Sequence, residues 1–381
     1  EGAMATKATR RVQSTRTPLH IAFELSLTDW KLAFSVGLAD RPVIRRIDAG
    51  DLEALDRVIG QAKKKLRLAA KAPVLSCYEA GREGFWLHRY LVSVGIENIV
   101  VDSASIEVNR RMRRAKSDRL DAAKLVTMLI RWHAGEKKAW SVVHVPSTKD
   151  EDRRHLHREL QTLKRDRTRV INRIKGYLAN QGVRLGRVRD LPAQLERIRL
   201  WDGSPLGAGV AQRLQREWAH FEFLHRQILD IEAARRAEVK SRRGRHIEKV
   251  RQLMTLRALG PGNSYVLVNE FFGWRKFKNR KQVGSLSGLT PTPYQSGDNS
   301  REQGISKAGN RQVRAVAIQL AWGWLRYQPK SQLSRWYEKR FARGGKRARK
   351  VGIVALARKL LVELWRFLEW GVIPEGAQLK V

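Results

Sequence analysis

Cysteine is almost absent from this sequence. Cys77 is the single example in 381 residues, which excludes internal disulfides and a cysteine-rich zinc ribbon and fits a reducing cytosol. No apolar run approaches the roughly 18–20 residues of a membrane span, and the N-terminal stretch lacks the apolar core of a signal peptide. No phosphate-binding P-loop sequence occurs. Acidic residues are scarce as well: 37 Asp and Glu face 76 Lys and Arg, leaving a net charge of +39. That balance argues against a metabolic enzyme with a small anionic substrate and makes a polyanion the expected partner.

What is present belongs to folded domains. Hydrophobic residues make up 42% of the chain, with 12 Trp, so the charge is not that of a disordered basic tail alone. Glu1-Gly2-Ala3 ahead of Met4 reads as a vector-derived remnant, and residues 1–17 as a disordered basic arm. His20 to Leu25 and Trp30 to Val36 are apolar runs around a short polar break, the pattern of a β-hairpin. Asp51 to Leu68 has the apolar spacing of an amphipathic helix. Pro73 to Glu79 is a third strand, Gly81 to Val94 a helix, Ile96 to Val101 a fourth strand, and Ser117 to Trp132 a helix after the basic stretch Asn109 to Lys116. Strands followed by alternating strands and helices predict an α/β domain on a mixed sheet over 18–147.

Residues 148–249 change character. Leu156, Leu160, Leu163, Val170 and Ile174 form a seam on one long helix, and a second runs from about Ala211 to Val239, which predicts a coiled-coil helical hairpin. Residues 250–381 read as mainly helical around one long loop, Thr290 to Gly309, rich in Gly, Pro, Ser and Asn. Loops of that length in a compact domain tend to be functional.

Asp118 and Asp121 lie three apart at the start of a helix, on one face, where like charges repel unless a cation sits between them. A hard divalent ion needs further oxygen ligands. Glu24 in the first strand and Glu79 at the end of the third can supply them, giving a site for Mg²⁺ (or Mn²⁺) that acts on phosphodiesters; Asp102, past the fourth strand, is a substitute. The competing reading is helix caps and solvated surface. In the long loop, Ser296 sits beside Gly297, where a hydroxyl can meet a backbone phosphate, although serine in a Gly/Pro loop is ordinarily turn chemistry. The cations Arg113, Arg114, Lys116 and Arg119 near the acids, Arg301, Lys307, Arg311 and Arg314 around the loop, and the run Arg343, Lys346 and Arg347 are candidate nucleic-acid contacts. The histidines show no zinc-ligand spacing.

Taken in order, Cys77-Tyr78-Glu79-Ala80-Gly81, Lys116-Ser117-Asp118-Arg119-Leu120-Asp121-Ala122, Gly288-Leu289-Thr290-Pro291 with Gln295-Ser296-Gly297, and Gly304-Ile305-Ser306-Lys307-Ala308-Gly309-Asn310 resemble the transposases of the insertion-sequence one-ten family, in its "eleven-eleven" branch. The resemblance implies a RuvC-like, RNase H-fold domain, a coiled coil and a helical transposase domain. It also implies a DEDD acidic set with Mg²⁺, and a serine that attacks DNA to leave a covalent phosphoserine link. The resemblance further implies a noncoding bridge RNA that pairs with target and donor DNA, and dimers that join into a tetrameric synapse. By position Glu79, Asp118 and Asp121 match the second to fourth acids, and Ser296 matches the serine. Glu24 stands where the family usually has Asp, one methylene longer; Ser306 is the weaker alternative nucleophile. A RuvC-like nuclease using only the acids, and a non-catalytic nucleic-acid scaffold, are the competing readings.

Overall fold

The computed structural model describes residues 17–106, 118–296 and 299–380, with side chains for all of these except 118–120 and 294–302. Residues 1–16 of the expected arm and the cations Arg113, Arg114 and Lys116 lie outside the described residues. The chain divides into two compact units, residues 1–145 and 146–381.

In the first unit, β1 (Leu19–Leu25), β2 (Asp29–Ser35), β3 (Val43–Asp48), α1 (Leu52–Lys65), β4 (Val74–Glu79), α2 (Trp86–Ser93), β5 (Glu97–Val101) and α3 (Asp118–His133) follow in order. The sheet runs β3-β2-β1-β4-β5, antiparallel from β3 to β1 and parallel from β1 through β4 to β5. Strand β1 is central and its first five residues are buried, because both faces are covered. Leu19, Ile21 and Phe23 meet α1 and α2 on one face. The small Ala22, Ala33 and Cys77 face α3, where Ala122, Leu125, Val126 and Leu129 close in.

Two elements differ from the sequence reading. Strand β3 is a fifth strand on the sheet edge, where Arg45 and Arg46 blunt the exposed ladder; its charges hide the alternation. Helix α2 begins at Trp86 rather than Gly81, because Gly84 takes φ +63 and its carbonyl accepts a 2.9 Å bond from the Tyr78 hydroxyl, holding the segment as a turn. Helix α1 starts where Asp51 accepts from the Ala54 N–H at 2.7 Å, an N-cap.

His20 gives this unit a pH dependence. Its ring is buried, its Nδ1 has no partner, and it lies edge-on to His133 with centroids 5.9 Å apart. Burial first, and the His133 charge second, push its pKa down to about 4, against a bond to the Ser35 backbone that raises it. Below pH 6.5 the unfolded chain takes a proton that the folded one refuses. The stability tied to the neutral ring is therefore fully present above 6.5 and lost as pH falls toward about 4, by roughly 1–3 kcal/mol. Thermal unfolding followed across that window should steepen for the native protein and flatten for His20→Phe; equal slopes would remove His20 as the cause.

The second unit opens with α4 (Thr148–Asn180), a short α5 (Leu191–Gln194) and α6 (Ala208–Ser241). Arg173 pairs Glu217 at 2.8 Å and Lys164 pairs Glu232 at 2.6 Å. Rising numbers on α4 meet falling numbers on α6, so the pair is antiparallel. The expected seam is found: Val170, Ile174 and Leu178 pack with Leu214, Phe221 and Leu224, and Leu160 with Ile228 and Ile231. Beyond it, α7 (Arg245–Met254), α8 (Pro261–Leu267), a π turn (Val268–Phe272), α9 (Arg280–Leu286), α10 (Arg311–Tyr327), α11 (Gln332–Tyr337) and α12 (Lys346–Trp370) enclose a core around Tyr265, Phe271 and Trp324. The stretch Thr290 to Gly309 is not a loop but largely a two-stranded antiparallel sheet, β6 (Pro291–Ser296) and β7 (Asn299–Ile305). Pro291 and Pro293 mask it in the sequence. Both strands of a hairpin are edges, so a missing N–H can face outward, and the register shifts between these two prolines. No described helix is long and apolar enough to cross a membrane.

Candidate active site and nucleic-acid surface

Side chains alternate along a strand. Since Ala22 and Cys77 face α3, Glu24 and Glu79, two residues further along each strand, share that face. Their strands are parallel neighbours, with Phe23 opposite Tyr78. The two carboxylates line one cleft of about 210 Å³ with Ser26, Arg82 and Glu83. Glu83, absent from the expected set, accepts a 3.3 Å bond from the Trp86 indole.

Helix α3 brings the other acids to the same end of the sheet. His133 at its C-terminus meets His20 at the start of β1, and the Cys77 thiol lies 3.9 Å from the Leu125 carbonyl, so α3 runs against β1. From His20 to Glu24 is about 13 Å at strand rise; from His133 back to Asp121 is about 18 Å at helical rise. Asp121, half-buried, therefore reaches at least to the level of Glu24. Asp118 starts the same helix one turn earlier, with its side chain and that of Arg119 outside the described residues. Asp102 instead caps a 3-10 turn through a 3.1 Å bond from the Ala104 N–H. The donor chemistry is all carboxylate oxygen, which suits a hard divalent ion. Among the described residues no three acid, His or Cys side chains gather closely enough to hold one.

In the second unit, Ser296 is the last residue of β6, paired with Asn299 at the tip of the hairpin; its side chain and that of Arg301 lie outside the described residues. The base of the hairpin is fastened to α9. The Ser306 N–H donates to the Thr290 carbonyl at 2.9 Å, Lys307 to Gly288 at 3.2 Å and Asn310 to Leu286 at 2.9 Å. Gly288 and Gly309 take positive φ, and a Cβ on either would collide with the backbone of Ala308 or Leu286. Arg314 donates inward to the carbonyls of Ser287 and Lys307, at 3.3 and 3.0 Å, a clamp on this base. Lys307, Arg311, Arg343, Lys346 and Arg347 are exposed, as is Ser306.

Behind the base sits a residue that the sequence reading misses. Glu270, fully buried in the π turn, accepts from His157 Nε2 at 2.7 Å, from Arg158 at 2.6 and 3.0 Å, and from Asn310 Nδ2 at 2.9 Å. Burial pushes its pKa up, but the bonds from His157 and Arg158 outweigh that and hold it well below the ordinary carboxylate range. Asn310 in turn caps α10, accepting from the N–H groups of Gln312 and Val313. One carboxylate thus ties the long helix α4 to Asn310, the cap of α10 a few residues past β7. Its signal was there to be read: a single acid within the apolar run Tyr265 to Phe272 must be paired.

A sheet with acidic residues at one end, joined in sequence to a strongly basic helical unit, gives the chain a charge that suits a phosphate-backbone partner. Comparison with known proteins makes this specific. Residues 250–336 match the family model described as Transposase IS116/IS110/IS902 family. The chain is 39% identical to the transposase y4rJ of Sinorhizobium fredii, over 95% of this chain and 94% of that one. It is 30% identical to y4qE of the same organism, over 74% of this chain and 66% of that one, and 24% identical to the transposase of insertion sequence element IS1111A from Coxiella burnetii, over 76% and 75%. The chain belongs to the IS116/IS110/IS902 transposase family, and is an enzyme that acts on DNA.

Proposed function

We propose that this transposase is an RNA-guided DNA recombinase of the "eleven-eleven" branch, in which Ser296 attacks a DNA phosphodiester and a Mg²⁺- or Mn²⁺-binding set of Glu24, Glu79, Asp118 and Asp121 assists. The observation that carries the reading is the presentation of Ser296: the tip of a hairpin whose base is fixed by two glycines, three backbone hydrogen bonds and the Arg314 clamp. A nucleophile must be held in place to gain from proximity, whereas a serine serving only a turn needs no such mounting. The order β3-β2-β1-β4-β5, with its antiparallel and parallel halves, supports a RuvC-like, RNase H-type domain.

In the reaction, a bond forms between the Ser296 oxygen and phosphorus while one P–O bond of the DNA backbone breaks. The serine gives up its proton and the departing sugar oxygen gains one. Phosphodiester replaces phosphodiester, so the exchange needs no nucleotide triphosphate. The bound ion would supply charge neutralisation at the phosphate. The exposed Lys307 and Arg311 beside the hairpin attract and orient the phosphate backbone.

The net charge of +39 suits a chain that neutralises a bridge RNA together with target and donor DNA in the bacterial cytoplasm. Base pairing would carry sequence choice, and dimers would assemble into a tetrameric synapse. Sequencing RNA that co-purifies from native cells tests the guide: one structured RNA with segments matching both DNA partners is expected, and random cellular RNA would sink it. Trapping a DNA adduct on Ser296 tests the chemistry.

A further inference from the structure

A cleft of about 830 Å³ opens in the second unit between α9 and α12, bordered by Thr290 at the foot of the hairpin. Its walls carry Arg280, Lys281, Arg358, Lys359 and Arg366 against one carboxylate, Glu363, which is bonded to Arg366 at 3.1 Å. Lys359 leans over the Trp336 ring at 4.7 Å, and the Arg358 methylenes lie against Gly284. Like charges lining one cleft repel, and an anion held there would offset that repulsion. The salt bridge removes one positive charge and leaves four without a carboxylate among the lining residues.

We infer that this cleft holds the phosphate backbone of the DNA strand that β6 leads to, upstream of the bond that is cut. Thr290 belongs both to the cleft wall and, through its carbonyl bond to Ser306, to the base of the hairpin. From there to Ser296 is about 20 Å at a strand rise of about 3.3 Å per residue, a span of roughly six base steps of B-DNA at about 3.4 Å each. A strand anchored in the cleft is therefore carried along the hairpin to its tip. The inference rests on the reading of Ser296 as the nucleophile. It adds a binding site whose lining does not include Arg311 and commits the cleft to DNA rather than to the guide, because the cleft wall is continuous in sequence with the strand that carries the proposed nucleophile.

The lone cysteine provides a clean test. Cys77 is fully buried and burial pushes its thiol up, so an added surface cysteine is the reactive one. Full-length Lys281→Cys, and Lys339→Cys as an exposed cationic position outside the cleft, are each offered duplex DNA bearing a disulfide-activated phosphate tether, and an RNA duplex of the same sequence. We expect the DNA to cross-link to Lys281→Cys at least about five-fold more than to Lys339→Cys, and more than the RNA does. Equal yield at the two positions, or preference for RNA, would overturn the assignment.

A variant combining Arg280→Glu and Lys281→Glu, both exposed, should lower the slope of log affinity against log salt by about 2 for DNA and reduce the Ser296 adduct at least ten-fold. An adduct formed at the native rate by that variant removes the cleft from the DNA path and leaves Ser296 standing. A native protein that forms no adduct removes Ser296, while cross-linking still reports what lies in the cleft.

Discussion

Ser296→Ala is expected to abolish the protein–DNA adduct that survives denaturation and to lower recombination by at least about 10³-fold, roughly 4 kcal/mol of barrier. The large effect follows from the chemistry: the substitution removes the proposed nucleophile itself. The fold should be untouched, since the substitution removes one atom and alanine accepts strand backbone. Asp121→Asn separates the two parts of the proposed machinery. It keeps the serine and the helix but removes one negative charge from the acidic end of the sheet, and should slow adduct formation on the order of 10²-fold, with partial recovery at raised Mg²⁺. Strand cleavage that is intact in Ser296→Ala but lost in Asp121→Asn would describe a nuclease working from the acids alone. Recombination persisting when both changes are combined would leave neither group a catalytic part.

Much of this arrangement could be read from the residues, and what could not has specific causes. The central strands were legible because β1 and β4 are apolar runs buried on both faces, and the α4 seam because its leucines keep coiled-coil spacing over several turns. The charged edge strand β3 was not, since Val43, Ile44 and Ile47 are interrupted by Arg45 and Arg46. The hairpin β6-β7 was hidden by Pro291 and Pro293, which ordinarily argue against a strand. Of the acids, the sequence shows only where they fall along their strands and helix; Glu24 and Glu79 share a face because β1 and β4 are parallel neighbours. For Glu270 the apolar run around it shows that a partner is needed but not which one, because its partners lie 112 and 113 residues earlier and 40 later in the chain, and no local pattern encodes a contact of that range. Arg314 was read as a phosphate contact from its charge; the structure gives that charge two backbone carbonyls at the hairpin base.

Glu270→Ala should produce the largest loss of stability in the second unit. The carboxylate accepts four hydrogen bonds in a fully buried position, three of them from His157 and Arg158. Removing it leaves the buried His157 imidazole with only Gln312 Oε1, at 3.1 Å, and the half-exposed Arg158 guanidinium without its counter-charge. Breaking a buried pair in this way destabilises by about 3–5 kcal/mol, which for a unit of this size lowers the unfolding temperature by roughly 6–20 °C. Glu270→Gln keeps the shape but turns an amide donor toward Arg158 or Asn310, so it recovers only part of the loss. The pH dependence has a definite sign: a carboxylate held below its ordinary value of about 4.3 contributes fully above that pH and loses its contribution as pH falls through the lower folded value. The native protein should therefore shed stability below about pH 4 that Glu270→Ala has already lost, and the two unfolding curves should converge in acid. Because Asn310 both bonds Glu270 and holds the hairpin to Leu286, amide exchange at Asn310 and Lys307 should accelerate in the variant more than exchange in the α4–α6 core. Unchanged exchange at those two amides, with the unfolding temperature lowered, would make Glu270 a prop for the helices and no part of what steadies the serine.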